Sequence, residues 1–122
     1  MLSIENLNAF YGDAQVLWDI NMNIKENEIV AVIGSNGAGK TSLLRTLSGI
    51  GPRADYKLNF NGTDITNMKP KERLNFGLAH VPEGRRLYDG LSVSDNLLMG
   101  AYLRKDKKEI EKDLENMYTL FP

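Results

Sequence analysis

The sequence predicts an α/β fold, and three observations carry that expectation. Two runs near the N-terminus, "LSIENL" and "QVLWDINMNI", alternate apolar and polar residues as strands with one solvated face do. A nearly continuous apolar run follows, "IVAVIG" at residues 29–34, in the manner of a strand buried on both faces. Directly after it the periodicity turns helical, with Leu43, Leu44 and Leu47 at one-turn spacing.

The elements follow in order. Leu2, Ile4 and Leu7 alternate loosely in the first strand, and "YGDAQ" supplies a Gly-Asp turn. Val16, Trp18, Ile20, Met22 and Ile24 alternate in the second, so the pair reads as a hairpin with Trp18 in the core. "KENE" is a polar turn into the apolar run, and a helix is expected from Gly39 to about Ser48, stopped by Gly49. Beyond it come a loop, a short strand at "KLNF" and a turn at Asn61-Gly62. A short helix over "KPKERLNFG" has Pro70 in its first turn and ends at Gly77. "LAHV" reads as another short buried strand, closed by Pro82, with His80 in a core role. Ser92 and Asp95 form a capping-box pattern ahead of "NLLMGAYL". Ile110, Leu114, Met117 and Phe121 lie on one stripe of a last helix, supported by Lys105/Glu109 and Lys107/Glu111 pairs.

Composition narrows the functional classes. With 122 residues the chain is one domain or a piece of one, and its net charge of −1 argues against a nucleic-acid binder. No cysteine is present, so no disulfide framework or thiolate chemistry is expected. The N-terminus lacks a basic stretch followed by an apolar one, and no run approaches the ~20 apolar residues of a membrane span. Any link to a membrane is expected through a partner.

One motif carries chemistry. Gly34-Ser35-Asn36-Gly37-Ala38-Gly39-Lys40-Thr41 matches G-x-x-x-x-G-K-[ST] in full, after an apolar strand and ahead of a helix. Its glycines let the backbone curl so that successive N–H groups point at phosphate oxygens, and the helix adds its positive end to the same anion. Lys40 is expected at the β- and γ-phosphates, Thr41 on a Mg²⁺ ion that bridges them, and Ser42 on the α-phosphate side. ATPases, GTPases, small-molecule kinases and recombination motors share this motif, so the flanks must decide among them.

The stretch "NLNAFYGDAQVLWDINMNIKENEIVAVIGSNGAGKTSLLRTLSGI" resembles the start of the ATP-binding subunit of an ABC transporter. "VPEGRRL" followed by "LSVSDNLLMGAY" is similar to the branched-chain amino acid importer branch of that family. The resemblance covers essentially the whole chain and implies the N-terminal portion of an ABC-type P-loop ATPase. That portion has an antiparallel β subdomain, part of a parallel core sheet and the start of a helical subdomain. The expected boundaries are 1–90 for the β subdomain with the phosphate-loop core, and 91–122 for the helical part. Tyr11, which the residues alone make a turn or core aromatic, is implied to stack on adenine, with Val16 flanking the same pocket. Glu83 stands where most of the family carries a glutamine that helps hold Mg²⁺ and the attacking water; otherwise it is a charged loop residue. Arg85 and Arg86 face a transmembrane partner or are simply solvated.

The resemblance further implies ATP and Mg²⁺ as cofactors, a second ATP-binding subunit and transmembrane permease subunits as partners, and a place on the cytoplasmic face of the membrane. The acidic strand end and general base that hydrolysis needs, the family's signature and its late histidine are not found in these residues. The chain is therefore expected to be the N-terminal half of such a subunit, able to bind nucleotide without turning it over. Its two parallel strands would lack outer neighbours, which predicts exposed apolar edges and self-association. The alternatives are an importer for another solute such as urea or an amide, and a non-catalytic nucleotide-binding module. A small-molecule kinase would need an acceptor site and an arginine-rich lid, and neither is seen.

Overall fold

The computed structural model describes residues 1–84 and 86–122, and Arg85 lies outside the described residues. The chain divides into two units, Met1–His80 and Val81–Pro122.

The first unit is built on an antiparallel sheet. Strand β1 (Leu2–Tyr11) pairs with β2 (Ala14–Ile24) on one side and with β3 (Arg53–Phe60) on the other. Strand β4 (Thr63–Asp64) completes the order β2-β1-β3-β4. The hairpin is the one the alternation predicts, with Gly12 at φ +58° in its two-residue turn. The turn at Asn61-Gly62 also forms, both residues adopting positive φ. Strand β3 runs well beyond the expected "KLNF", because residues from Arg53 onward pair with Phe10, Ala9 and Asn8.

Twin bulges explain the loose alternation of β1. Asn6 adopts φ +52° and Asp19 φ +45°, and the register between the strands shifts around both. Leu2 and Ile4 before the first bulge, and Leu7 and Ala9 after it, are thereby all buried. In β2 the same shift buries Leu17 and sends Trp18 outward at 63% exposure, correcting its expected core role. Asn and Asp tolerate the left-handed backbone these bulges require. The side chains stitch it: Asn8 Oδ1 accepts from Gln15 Nε2 (2.8 Å) and from the Asp19 amide (3.0 Å). Asn21 Oδ1 accepts from the Asn6 amide at 2.9 Å.

Helix α1 (Lys40–Leu47) lays Leu43 and Leu47 on the sheet's core, while Leu44 points outward. Gly49, at φ +77°, follows its end as expected. Helix α2 (Pro70–Asn75) begins at Pro70, and at its N-terminus the Glu72 carboxylate accepts from the Lys69 amide at 2.6 Å. The buried apolar residues all lie between Leu2 and Ile65.

Two expected strands are absent from this sheet. Residues 29–34 and 78–81 form no strand and pair with none among the described residues. Ile29 and Ile33 are 98% and 92% exposed, and Val81 is similarly bare. An interior parallel strand is held by hydrogen bonds to neighbours on both edges, and an apolar composition does not supply them. A cavity of about 340 Å³ separates Val30–Ile33 from Leu17, Ile20 and Met22 of β2. His80, expected in a buried strand, is half-buried and outside any strand.

The second unit holds α3 (Val93–Met99) and α4 (Lys107–Leu120). The predicted cap is present, with Ser92 Oγ accepting from the Asp95 amide at 3.1 Å and donating to Asp95 Oδ2 at 2.6 Å. Asn96 folds the preceding loop onto α3, exchanging hydrogen bonds with both backbone groups of Tyr88. An open groove of about 680 Å³ runs between Leu97 and Leu98 of α3 and Ile110, Leu114 and Met117 of α4. The expected Lys105/Glu109 and Lys107/Glu111 pairs do not form. Instead Lys112 reaches Glu109 at 3.8 Å, and Arg104 binds both Asp106 and Asp113 at 2.6 Å. Phe121 ends the stripe at the helix C-cap and is exposed.

Candidate functional site

The glycine-rich loop bridges residues 29–33 to the N-terminus of α1. Gly37 (φ +85°) and Gly39 (φ +93°) both take the left-handed backbone that bulkier residues resist. Gly39 is also the point of closest packing, since a Cβ there would lie 2.7 Å from Leu17 Cδ2 and 3.0 Å from the Val16 carbonyl oxygen. The hairpin thus sets where the loop becomes a helix. At the other end, a Cβ on Gly34 would sit 3.2 Å from that of Ala38, so the loop closes tightly on itself. The Ala38 amide donates to the Ser35 carbonyl at 3.2 Å, making the turn over Asn36 and Gly37.

Gly39 is the N-cap of α1 and its carbonyl accepts from the Leu43 amide at 2.9 Å. No side chain caps this end. The first amides of a helix have no partner within it, and with the helix dipole they favour an anion there. Lys40 extends back along the loop, and its Nζ donates to the carbonyls of Gly34 and Ser35 at 2.7 Å each. An ammonium in that position adds a full positive charge to the same end of the helix. Thr41 is exposed in the first turn and Ser42 half-buried behind it. Gly34 through Ala38 are open to solvent. The cradle therefore brings together bare amides, a cation and two hydroxyls, which is the donor set for a polyphosphate.

The remaining candidate residues stand as follows. Tyr11 ends β1 and is 47% exposed. Val16 is partly buried, and its carbonyl oxygen backs the cradle at Gly39. Glu83 is exposed in the second unit, its carbonyl accepting from Arg86 Nε at 3.3 Å. No cluster of three or more His, Asp or Glu side chains suited to a metal occurs among the described residues. A residue with no sequence signal of its own is Arg73, buried at 2% exposure against the far end of α1. Its acceptors come from elements up to 27 residues away, so nothing local marks it.

Comparison with known proteins gives this arrangement its family. The chain is 36% identical, over its whole length, to the high-affinity branched-chain amino acid transport ATP-binding protein BraG of Pseudomonas aeruginosa, covering 52% of that protein. It is 34% identical, again over its whole length, to the probable branched-chain amino acid transport ATP-binding protein LivF of Archaeoglobus fulgidus, covering 51% of it. The phosphonates import ATP-binding protein PhnC of Fusobacterium nucleatum is 35% identical over 87% of the chain and 44% of its own. The chain thus spans about half the length of the curated relatives it matches. Among solved structures, a dimeric ATP-binding cassette in a post-hydrolysis state bound to ADP and Pi superposes with a TM-score of 0.77. That match covers 95% of this chain and 55% of the other at 20% identity, and so speaks for the fold alone. The protein cbiO1 of Clostridium perfringens, part of the ABC transporter complex cbiONQ, gives a TM-score of 0.73 at 32% identity, covering 94% of this chain and 47% of its own. The family model described as ABC transporter matches residues 17–120, and the chain belongs to the ABC transporter family, with the fold of part of an ATP-binding cassette.

Proposed function

We propose that this chain binds the polyphosphate of ATP, and that the whole protein is the ATP-hydrolysing subunit of an importer for branched-chain amino acids. The observation that carries the first statement is the cradle of Gly34–Thr41, with its two left-handed glycines, uncapped helix and Lys40 ammonium. Lys40 would meet the β- and γ-phosphates and stabilise charge during phosphoryl transfer. Ser35, Asn36, Gly37, Ala38 and Gly39 would wrap the phosphates with their amides, Ser42 would add its hydroxyl, and Tyr11 with Val16 would hold the base.

Mg²⁺ fits this donor set. It keeps most of its coordination for water and phosphate oxygens, and needs only one or two protein ligands. Thr41 offers an exposed hydroxyl, and Glu83, by its resemblance to the family's metal-side glutamine position, would supply a carboxylate. The ion, when bound, would neutralise charge on the β- and γ-phosphates. Partners follow from the same reading: a second ATP-binding subunit and transmembrane permease subunits, at the cytoplasmic face of the membrane. No described helix is long and apolar enough to cross a membrane.

The solute rests on two relatives named for branched-chain amino acid transport, each matched over the entire chain. A second reading, another imported solute, is favoured by matches to the phosphonate and sulfate importers over shorter spans. Lys40→Ala tests the nucleotide reading. It should weaken Mg-ATP binding at least about tenfold, the effect of losing roughly 1.4 kcal/mol of contact with phosphate. Unchanged binding would remove the cradle from the function. Uptake of labelled leucine, against phosphonate and sulfate, in cells lacking the gene would decide the solute.

A further inference from the structure

Arg73 is a buried cation with no carboxylate partner among the described residues. Its guanidinium has five N–H donors, and each finds an oxygen. Nε donates to the Met68 carbonyl at 3.0 Å. Nη1 donates to the carbonyls of Thr46 (3.0 Å) and Leu47 (2.6 Å). Nη2 donates to Tyr56 Oη (2.9 Å) and to the Thr66 carbonyl (2.7 Å). Two of these oxygens belong to the last turn of α1, where helix carbonyls are otherwise unpaired and the dipole is negative. Two belong to the segment after β4, and the fifth to β3. Gly49 makes room for the plane, since a Cβ there would come within 3.3 Å of Arg73 Nε.

The same helix begins at Lys40. At about 1.5 Å per residue, its eight residues span roughly 12 Å. A tilt at the Thr46–Leu47 end is therefore carried straight to the amides at the other end. Gly39 is wedged against Leu17 and Val16 at that end, and Arg73 fixes the opposite one. We infer that Arg73 is a positioning residue for phosphate binding. By holding the C-terminal carbonyls of α1 to β3 and to α2, it keeps Lys40 and Thr41 aimed into the cradle. This rests on the reading of the cradle as an ATP site.

Two substitutions separate positioning from plain stability. Arg73→Lys keeps the charge, but three donors on one nitrogen cannot serve five oxygens around a plane. Tyr56→Phe removes one acceptor of the same guanidinium and leaves both α1 bonds intact. Both are made in the protein as its gene encodes it, and Mg-ATP affinity is titrated well below each melting midpoint. Arg73→Lys should weaken binding by roughly tenfold or more, as small misplacements of a preorganised site do, and Tyr56→Phe less than about twofold. Equal affinity of folded Arg73→Lys and wild type would overturn the inference, as would losses that simply track the two melting midpoints. Should Arg73→Lys fail to fold, the wild-type protein still decides. The Arg73 Nε–H resonance should shift on saturation with Mg-ATP, and an unmoved resonance overturns the assignment. If the wild type itself does not bind ATP, the ATP reading fails first and this inference falls with it.

Discussion

The two units spend similar apolar material differently. In Met1–His80 the leucines and isoleucines of β1, β3 and α1 close a core in which Leu7, Leu58 and Ile65 are wholly buried. In Val81–Pro122 the stripe of α4 and the leucines of α3 face each other across an open groove, and neither helix buries a single residue fully. Residues 29–33 repeat the contrast inside the first unit, more apolar than β1 and far more exposed. Apolar residues stabilise only when a second apolar face covers them. In the sheet that face is α1; for the segment at residues 29–33 and for α3 and α4 it is incomplete.

That contrast can be broken by mutation. Leu58→Ala should cost about 2–5 kcal/mol in urea unfolding, the usual range for emptying a packed leucine site. Leu114→Ala in the groove should cost well under half as much, and an equal loss would mean the groove is filled in solution. Gly39→Ala combines a positive φ with a Cβ 2.7 Å from Leu17, and should cost roughly 1–3 kcal/mol and weaken Mg-ATP binding in the same titration. Ser92→Ala removes the cap of α3 and should cost about 1 kcal/mol, read as lost helicity by circular dichroism. Ile33→Lys should change unfolding by no more than about 0.5 kcal/mol, as surface substitutions do, while reducing self-association by sedimentation.

The smallest effect concerns pH. The hydrogen bond from Arg104 holds the Asp106 carboxyl below the ordinary carboxylate value. Its contribution to stability is complete above an ordinary aspartate pKa of ~3.9 and is lost as pH falls through the lower folded value. Asp106→Asn should therefore flatten the acid limb of an α4 helicity titration slightly. An unaltered limb would show the exposed pair to be idle.

Much of the first unit was legible because its signals are local. The hairpin has its alternation and Gly12, and α1 its spacing and Gly49; in the second unit α3 has its Ser92 cap. The cradle was legible for the same reason, since its glycines and Lys40 are consecutive. Trp18 was misplaced because strand parity flips at Asp19, and an aspartate in a strand does not announce a left-handed backbone. The strands expected at residues 29–34 and 78–81 failed because their pairing depends on neighbours that composition cannot provide. Arg73 was invisible because a lysine-rich helix start reads as solvated, and its meaning lies in carbonyls far along the chain.

The order of the sheet carries one further consequence. Strand β1 is an inner one, and one flank receives β2 across a two-residue turn. Its other flank waits for β3, so during synthesis the whole cradle and α1 must leave the ribosome before that edge is sealed. Until then β1 offers unpaired backbone to any passing strand. The nascent chain thus carries an open strand edge while its glycine-rich loop is already complete but not yet anchored.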